Sequence, residues 1–271
     1  MNAHRHLPDA NRLSVVTATV LLGYALTPFV TLPDRFIGLQ LPGFFFELRL
    51  NFATLVSILV AILAAAGTDW LIQGHPHLEG KIRLPHWLLP ALTAWAIGVP
   101  LATLSVGPEW WAVFALGGLL FVLVLLAEYI VVDANDIRYG PASVGLMAVS
   151  FALFLVLTVS VRAAGMRLYA LVLTLAPTLF LVCLRSLYLR SGGRWFLSWS
   201  LGIALIIGQA AAGLHYWPLT PLKFGLLVIG LAYAVTSLAG GIEEGRSWRT
   251  VWIEPVVMLV LLWGFSLIVQ A

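Results

Sequence analysis

The sequence is poor in what water solvates. Charged residues make up 10% of the 271, against roughly 25% in a soluble domain. That leaves too little polar surface to clothe a water-soluble globule. There is one cysteine, Cys183, so neither an intramolecular disulfide nor a cysteine metal cluster can form. Only two lysines occur, Lys81 and Lys223, both near the ends of apolar runs, and a mid-membrane lysine for a retinal Schiff base is missing. The nucleotide-binding P-loop, the dinucleotide fingerprint and the nucleophile elbow are missing too. No polar connection exceeds about twenty residues, a length good to a few residues at each boundary, so no loop can fold as a water-exposed domain. The net charge of +3 is small. It suits loop arginines facing anionic lipid rather than nucleic-acid binding.

What the chain has is apolar length. It is 61% hydrophobic, with a mean hydropathy of +0.98. A helix needs about twenty apolar residues to cross the hydrocarbon core. Nine runs qualify, at residues 13–32, 51–72, 85–104, 110–132, 143–161, 168–189, 195–214, 222–240 and 251–270. Turn-forming residues separate them, among them Gly107-Pro108, Gly140-Pro141, Gly192-Gly193 and Gly240-Gly241. No internal repeat is visible. The pattern predicts an all-α, polytopic integral membrane bundle of about nine transmembrane helices, forming one transmembrane domain over 1–271. The first run follows Arg5 and Arg12 and lacks a small-x-small cleavage site, so it reads as an uncleaved helix rather than a signal peptide.

Residues 35–50 break the pattern. Pro42-Gly43 is a turn signal, and Glu47 and Arg49 alternate with apolar neighbours at a strand's period. A short interfacial β-hairpin suits this stretch; an interfacial helix and a packed loop are the alternatives.

Orientation follows from basic residues. With nine spans, ten lysines and arginines fall on the amino-terminal side and five on the other. This split predicts a cytoplasmic amino terminus and an external carboxyl terminus, in a cytoplasmic membrane of bacterial type. Eight of the eleven tryptophans fall near span ends, where indole is favoured. Trp95, Trp199 and Trp263 lie deeper and are expected to pack or to touch lipid.

Charge inside or at the ends of spans is the best pointer to function in a membrane protein. Asp69, Glu128, Asp133, Arg185 and Glu254 all map to the inner side under this orientation. They form a candidate polar cluster there. Arg185 and Glu254 each lie about one turn inside a span, so Arg185 is expected to meet at least one of Glu128, Glu254 and Asp69. The side chain of Arg190 is expected to reach water. The plain alternative is that these charges serve helix ends and headgroup water. His75 and His77, two apart, could share a metal ion, with Asp69 or Glu79 adding oxygen. Two histidines in an interfacial loop are more often just polar surface. Small residues at Ala64-Ala65-Ala66-Gly67 and between Gly208 and Gly213 predict close helix contacts, with Gln209 able to bond across one. Pro177 predicts a kink in the sixth helix.

Two short motifs have family counterparts. Asp133-Ala134-Asn135-Asp136 resembles the aspartate-rich loop of UbiA-type intramembrane prenyltransferases. The likeness covers that tetrapeptide and the nine-helix topology; the loop follows the fourth span, and no second aspartate-rich loop exists. Glu243-Glu244 resembles the paired glutamates of CAAX-type intramembrane proteases, but no histidine follows it. Neither motif completes a catalytic set, and no cofactor is expected. The first functional expectation is therefore a non-catalytic subunit, scaffold or binding protein of a membrane assembly, with membrane lipids and membrane proteins as partners. The second is a transporter using a cytoplasmic-side polar cavity, for which a continuous water-filled path would speak. The third is an intramembrane enzyme on a lipid-borne substrate, for which a cavity open sideways to lipid beside paired carboxylates would speak. Oligomeric state is not legible in the residues.

Overall fold

The computed structural model describes residues 8–30, 35–41, 44–50, 52–76, 78 and 83–268, the two segments 35–41 and 44–50 by their backbone alone. The chain divides into two compact units, Met1–Val132 and Asp133–Ala271.

In the first unit, α1 (Ala10–Leu26) runs into a 3₁₀ turn, Thr27–Phe29. Asp9 caps α1 by accepting from the Asn11 amide at 2.9 Å, the usual service of an N-cap carboxylate. Strands β1 (Arg35–Leu41) and β2 (Phe44–Leu50) follow, antiparallel and in register from Arg35 opposite Leu50 to Leu41 opposite Phe44. Pro42 and Gly43 lie outside the described residues. Three helices complete the unit: α2 (Phe52–Ile72), α3 (Pro85–Thr103) and α4 (Pro108–Ile130). The second unit holds α5 (Tyr139–Ala163), α6 (Leu168–Arg190), α7 (Leu197–His215), α8 (Pro221–Glu243), the short α9 (Trp248–Val251) and α10 (Ile253–Ile268). Proline opens α3, α4 and α8, where its missing N–H leaves no bond unmade.

Eight helical stretches among the described residues are long and apolar enough to cross a membrane, with α9 and α10 counted as one. The chain is an integral membrane protein with an all-α, polytopic architecture. The remaining long helix, α3, occupies the position of the third expected span. His86, Pro90 and Pro100 lower its apolarity. More than half of its 19 residues are buried, and it packs on both α2 and α4. A helix shielded by its neighbours meets little lipid and can carry such residues; at roughly 28 Å it still has the length of the hydrocarbon core.

Small residues set the helix contacts. A Cβ on Gly67 of α2 would stand 2.6 Å from Val16 of α1, so the close approach of these helices needs glycine there. Gly208 of α7 faces Ala176 of α6, whereas Gln209 is exposed on α7. Serine and threonine within the spans bond back to the carbonyl four residues earlier, as Thr158 does to Phe154 at 2.7 Å and Thr236 to Ala232 at 2.7 Å. The helix α6 continues through Pro177.

Candidate functional site

The second unit contains an apolar cavity of about 710 Å³. Its walls follow helical periodicity. Along α5, Val144, Met147, Phe151 and Leu155 face it; along α10, Glu254, Met258 and Leu262 do. Positions three or four apart share one face of a helix, so each helix presents a single stripe. The helices α5 and α10 both pack extensively on α8 but barely on one another. The cavity is the gap this leaves, with Ile229, Tyr233, Thr236 and Ser237 of α8 along it.

One end of the gap is charged. Arg190, at the last turn of α6, directs Nε to Oε1 of Glu244 at 2.7 Å. The other oxygen of Glu244 meets Nε of Arg246 at 2.7 Å. Nη1 of Arg246 lies 3.4 Å from Oε2 of Glu254, and Oε1 of Glu254 lies 4.0 Å from Nη1 of Arg190. The four side chains thus close a ring in which cation and anion alternate, with no net charge. Tyr233 donates its hydroxyl to Glu254 at 2.9 Å, and Arg190 donates to Ser237 at 3.2 Å. The Phe151 ring meets Tyr233 edge-on, with centroids 5.2 Å apart.

Local backbone chemistry builds the ring. Gly245, with φ at 70°, ends α8 in the left-handed conformation, and the Arg246 amide turns back to the Gly241 carbonyl at 3.1 Å. This reversal brings Arg246 beside Glu244. Gly240 admits Arg190: a Cβ there would stand 2.9 Å from its Nε. The Arg190 side chain is 13% exposed and that of Arg246 46%, so the ring is deepest at Arg190. Arg190 and Glu244 also line a second cavity of about 240 Å³, which holds Ser191 and Arg194. Trp199, one of the deeper indoles, donates to Glu243 at 2.8 Å.

One polar group in the main cavity lacks a bond. Ser186 is 1% exposed, lines the cavity and sits one turn before Arg190 on α6; its hydroxyl has no hydrogen-bond partner.

Of the other described residues singled out in the sequence, each has contacts within its own unit. Asp69 accepts from Gln73 at 2.7 Å and from Trp87 at 3.2 Å, with Arg83 at 3.4 Å. Glu128 is wholly buried and lies 2.8 Å from Nδ1 of the buried His86. Asp133 accepts from the Asn135 amide at 3.0 Å and Asp136 from the Arg138 amide at 2.8 Å, so this loop is held by side-chain turns. Arg185 is buried, its guanidinium 5.4 Å above the Tyr188 ring. The cations beside Glu254 are Arg190 and Arg246. Arg190, expected to reach water, is turned inward by Glu244 and Ser237. His75 packs edge-on against Tyr129 at 4.6 Å; His77 and Glu79 lie outside the described residues. Among the described residues, no group of three or more His, Cys, Asp or Glu could hold a metal ion.

The sequence shows Glu244 only as half of a glutamate pair, and Tyr233 and Ser237 do not stand out in it. A signal was there. Tyr233, Ser237, Gly240 and Glu244 recur at helical spacing along α8 and share a face.

Residues 32–269 match the family DUF5656, described as a protein of unknown function, and the chain belongs to that family. No curated protein and no solved structure matches it.

Proposed function

We propose that this protein binds one amphipathic molecule of the membrane. Its apolar part lies in the gap between α5 and α10, and its polar end meets the Arg190–Glu244–Arg246–Glu254 ring. The observation that carries this reading is the joining of those two parts. A cavity of about 710 Å³ lies within the range of ligand pockets, roughly 300–1,000 Å³, and such sites pair apolar walls with a few placed polar groups. We read the ring end as cytoplasmic, from the ten-to-five distribution of basic residues. The role is that of a binding protein. The charged end closes on itself through ion pairs, so it offers an ion no open file of polar groups to follow.

The test is purification in gentle detergent followed by native mass spectrometry. A lipid-sized adduct is expected on the wild-type protein. Ala148→Trp and Ala152→Trp, which fill the gap from α5, should remove the adduct without lowering the melting temperature by more than a few degrees. An adduct retained by both filled variants, or none on the wild type, defeats the reading.

A second reading, an enzyme acting on the same amphiphile, draws support from the Tyr233–Glu254 contact at 2.9 Å, with a second carboxylate, Glu244, close by. Incubation with a mixed lipid extract, followed by mass spectrometry of the lipids, tests it. An unchanged lipid profile removes this reading and leaves the first standing.

A further inference from the structure

Resting on the amphiphile reading, we infer that the ligand is a zwitterionic glycerophospholipid whose headgroup carries a primary ammonium, a phosphoethanolamine lipid. Two observations lead there, one bearing on the headgroup and the other on the glycerol esters.

The first is the sign pattern of the ring. Its two arginines and two glutamates already balance. An anionic headgroup on the arginines would draw them from their carboxylates and leave uncompensated negative charge in a poorly solvated place, a costly outcome. A cationic headgroup would do the reverse. A headgroup bearing both signs docks without upsetting the balance: phosphate toward the guanidinium of Arg246, ammonium toward Glu254. These two side chains are the more exposed half of the ring, at 46% and 39%, and their contact of 3.4 Å is looser than the two 2.7 Å pairs. Arginine suits phosphate because its planar fork matches the oxygens. Carboxylates suit a primary ammonium because it brings three N–H donors. A trimethylated ammonium brings none.

The second observation is Ser186. A buried hydroxyl left unbonded carries a desolvation penalty that a partner would remove. Ser186 lies four residues before Arg190 on α6, which puts it roughly 6 Å deeper along the helix axis. Ligand atoms one helical turn beneath the phosphate of a glycerophospholipid include the ester carbonyls, which accept hydrogen bonds. The ring and Ser186 thus read two polar layers of one lipid, with the apolar walls beyond them for its chains.

The experiment exchanges the purified protein into detergent containing one defined lipid at a time and scores retention by native mass spectrometry. The lipids are dioleoyl-phosphatidylethanolamine, its choline and glycerol counterparts, dioleoylglycerol, and the diether analogue of the ethanolamine lipid. Ethanolamine should be retained about five- to tenfold better than choline, glycerol or the headless lipid, one to two hydrogen bonds' worth. Glu254→Gln and Arg246→Gln should flatten that ranking. Ser186→Ala, nearly isosteric, should leave the headgroup ranking intact and erase the preference for diester over diether. Equal retention of all wild-type headgroups overturns the inference while leaving the amphiphile reading in place. Retention of no lipid overturns both. A diester preference that survives Ser186→Ala overturns the role given to Ser186.

Discussion

Arg190 and Glu244 stand 54 residues apart in the chain, and their side chains meet at 2.7 Å. One ends α6 and the other follows the last turn of α8. The contact ties together two helices that otherwise touch only lightly. It also forms the wall shared by two cavities, so its loss would be felt in both packing and binding.

Arg190→Ala is therefore expected to destabilise the protein more than Arg246→Ala. Arg190 gives up Glu244 and Ser237 and is the better shielded. The coupling between Arg190 and Glu244 should come to about 1–3 kcal/mol in a double-mutant cycle, the range of a charge-assisted contact that water reaches in part. Thermal unfolding in detergent measures it; a coupling indistinguishable from zero would show the contact to be incidental.

Gly240→Ala should shift the same pair by sterics alone. The added methyl would stand 2.9 Å from Nε of Arg190 and 3.0 Å from its Cζ. Overpacking of this kind costs about 1–3 kcal/mol. The loss should shrink in an Arg190→Ala background, where nothing remains to collide with. An undiminished loss there would place the strain elsewhere.

In the first unit, His86 and Glu128 form a buried pair at 2.8 Å. Truncating either removes a buried hydrogen bond and should cost about 1–3 kcal/mol. Glu128→Gln keeps an oxygen in place and should cost less than Glu128→Ala. A circular-dichroism melt separates the two; equal losses would mean that the carboxylate itself, not the volume or the retained oxygen, matters at this site.

The topology has a direct test that the sequence's own scarcity makes clean. Cys183 is buried, so the wild-type protein should not react with membrane-impermeant thiol reagents. Ile137→Cys, at a 97% exposed position after α4, should stay unlabelled in intact cells and react once they are opened. Met166→Cys, after α5, should label from outside. The reverse pattern would invert the orientation.

The helices were legible because apolar length is a local property. Each expected run corresponds to a helix, from α2, which starts one residue later than expected, to α5, which extends further at both ends, and α1, which ends at Leu26, short of the expected 32. The case of α3 shows the limit of that signal. Hydropathy registers contact with lipid, and a helix packed between α2 and α4 meets little of it. The site was much less legible. Glu254 was picked out for its depth, but its neighbours depend on which helices adjoin, and no spacing within one helix contains that. Arg190 was misjudged for the same reason: near a span end it had every appearance of reaching water, until Gly240 and Glu244 on another helix claimed it. The strands β1 and β2 follow the period-two pattern of their residues. Spin labels at Phe36 and Phe45, probed with lipid-soluble and water-soluble quenchers, would report whether the pair lies at the interface; quenching from neither phase would mean that it is packed away from both.

The neutrality of the ring has a kinetic side. Two positive and two negative groups, each within 4.0 Å of an opposite charge, cancel beyond a few ångströms and cast almost no field at a distance. Electrostatic steering, which speeds encounters between charged partners and fades in salt, gains nothing from the ring itself. The ring would add no salt dependence of its own to the arrival of a ligand at this end of α6. Selection would then fall on how long it stays.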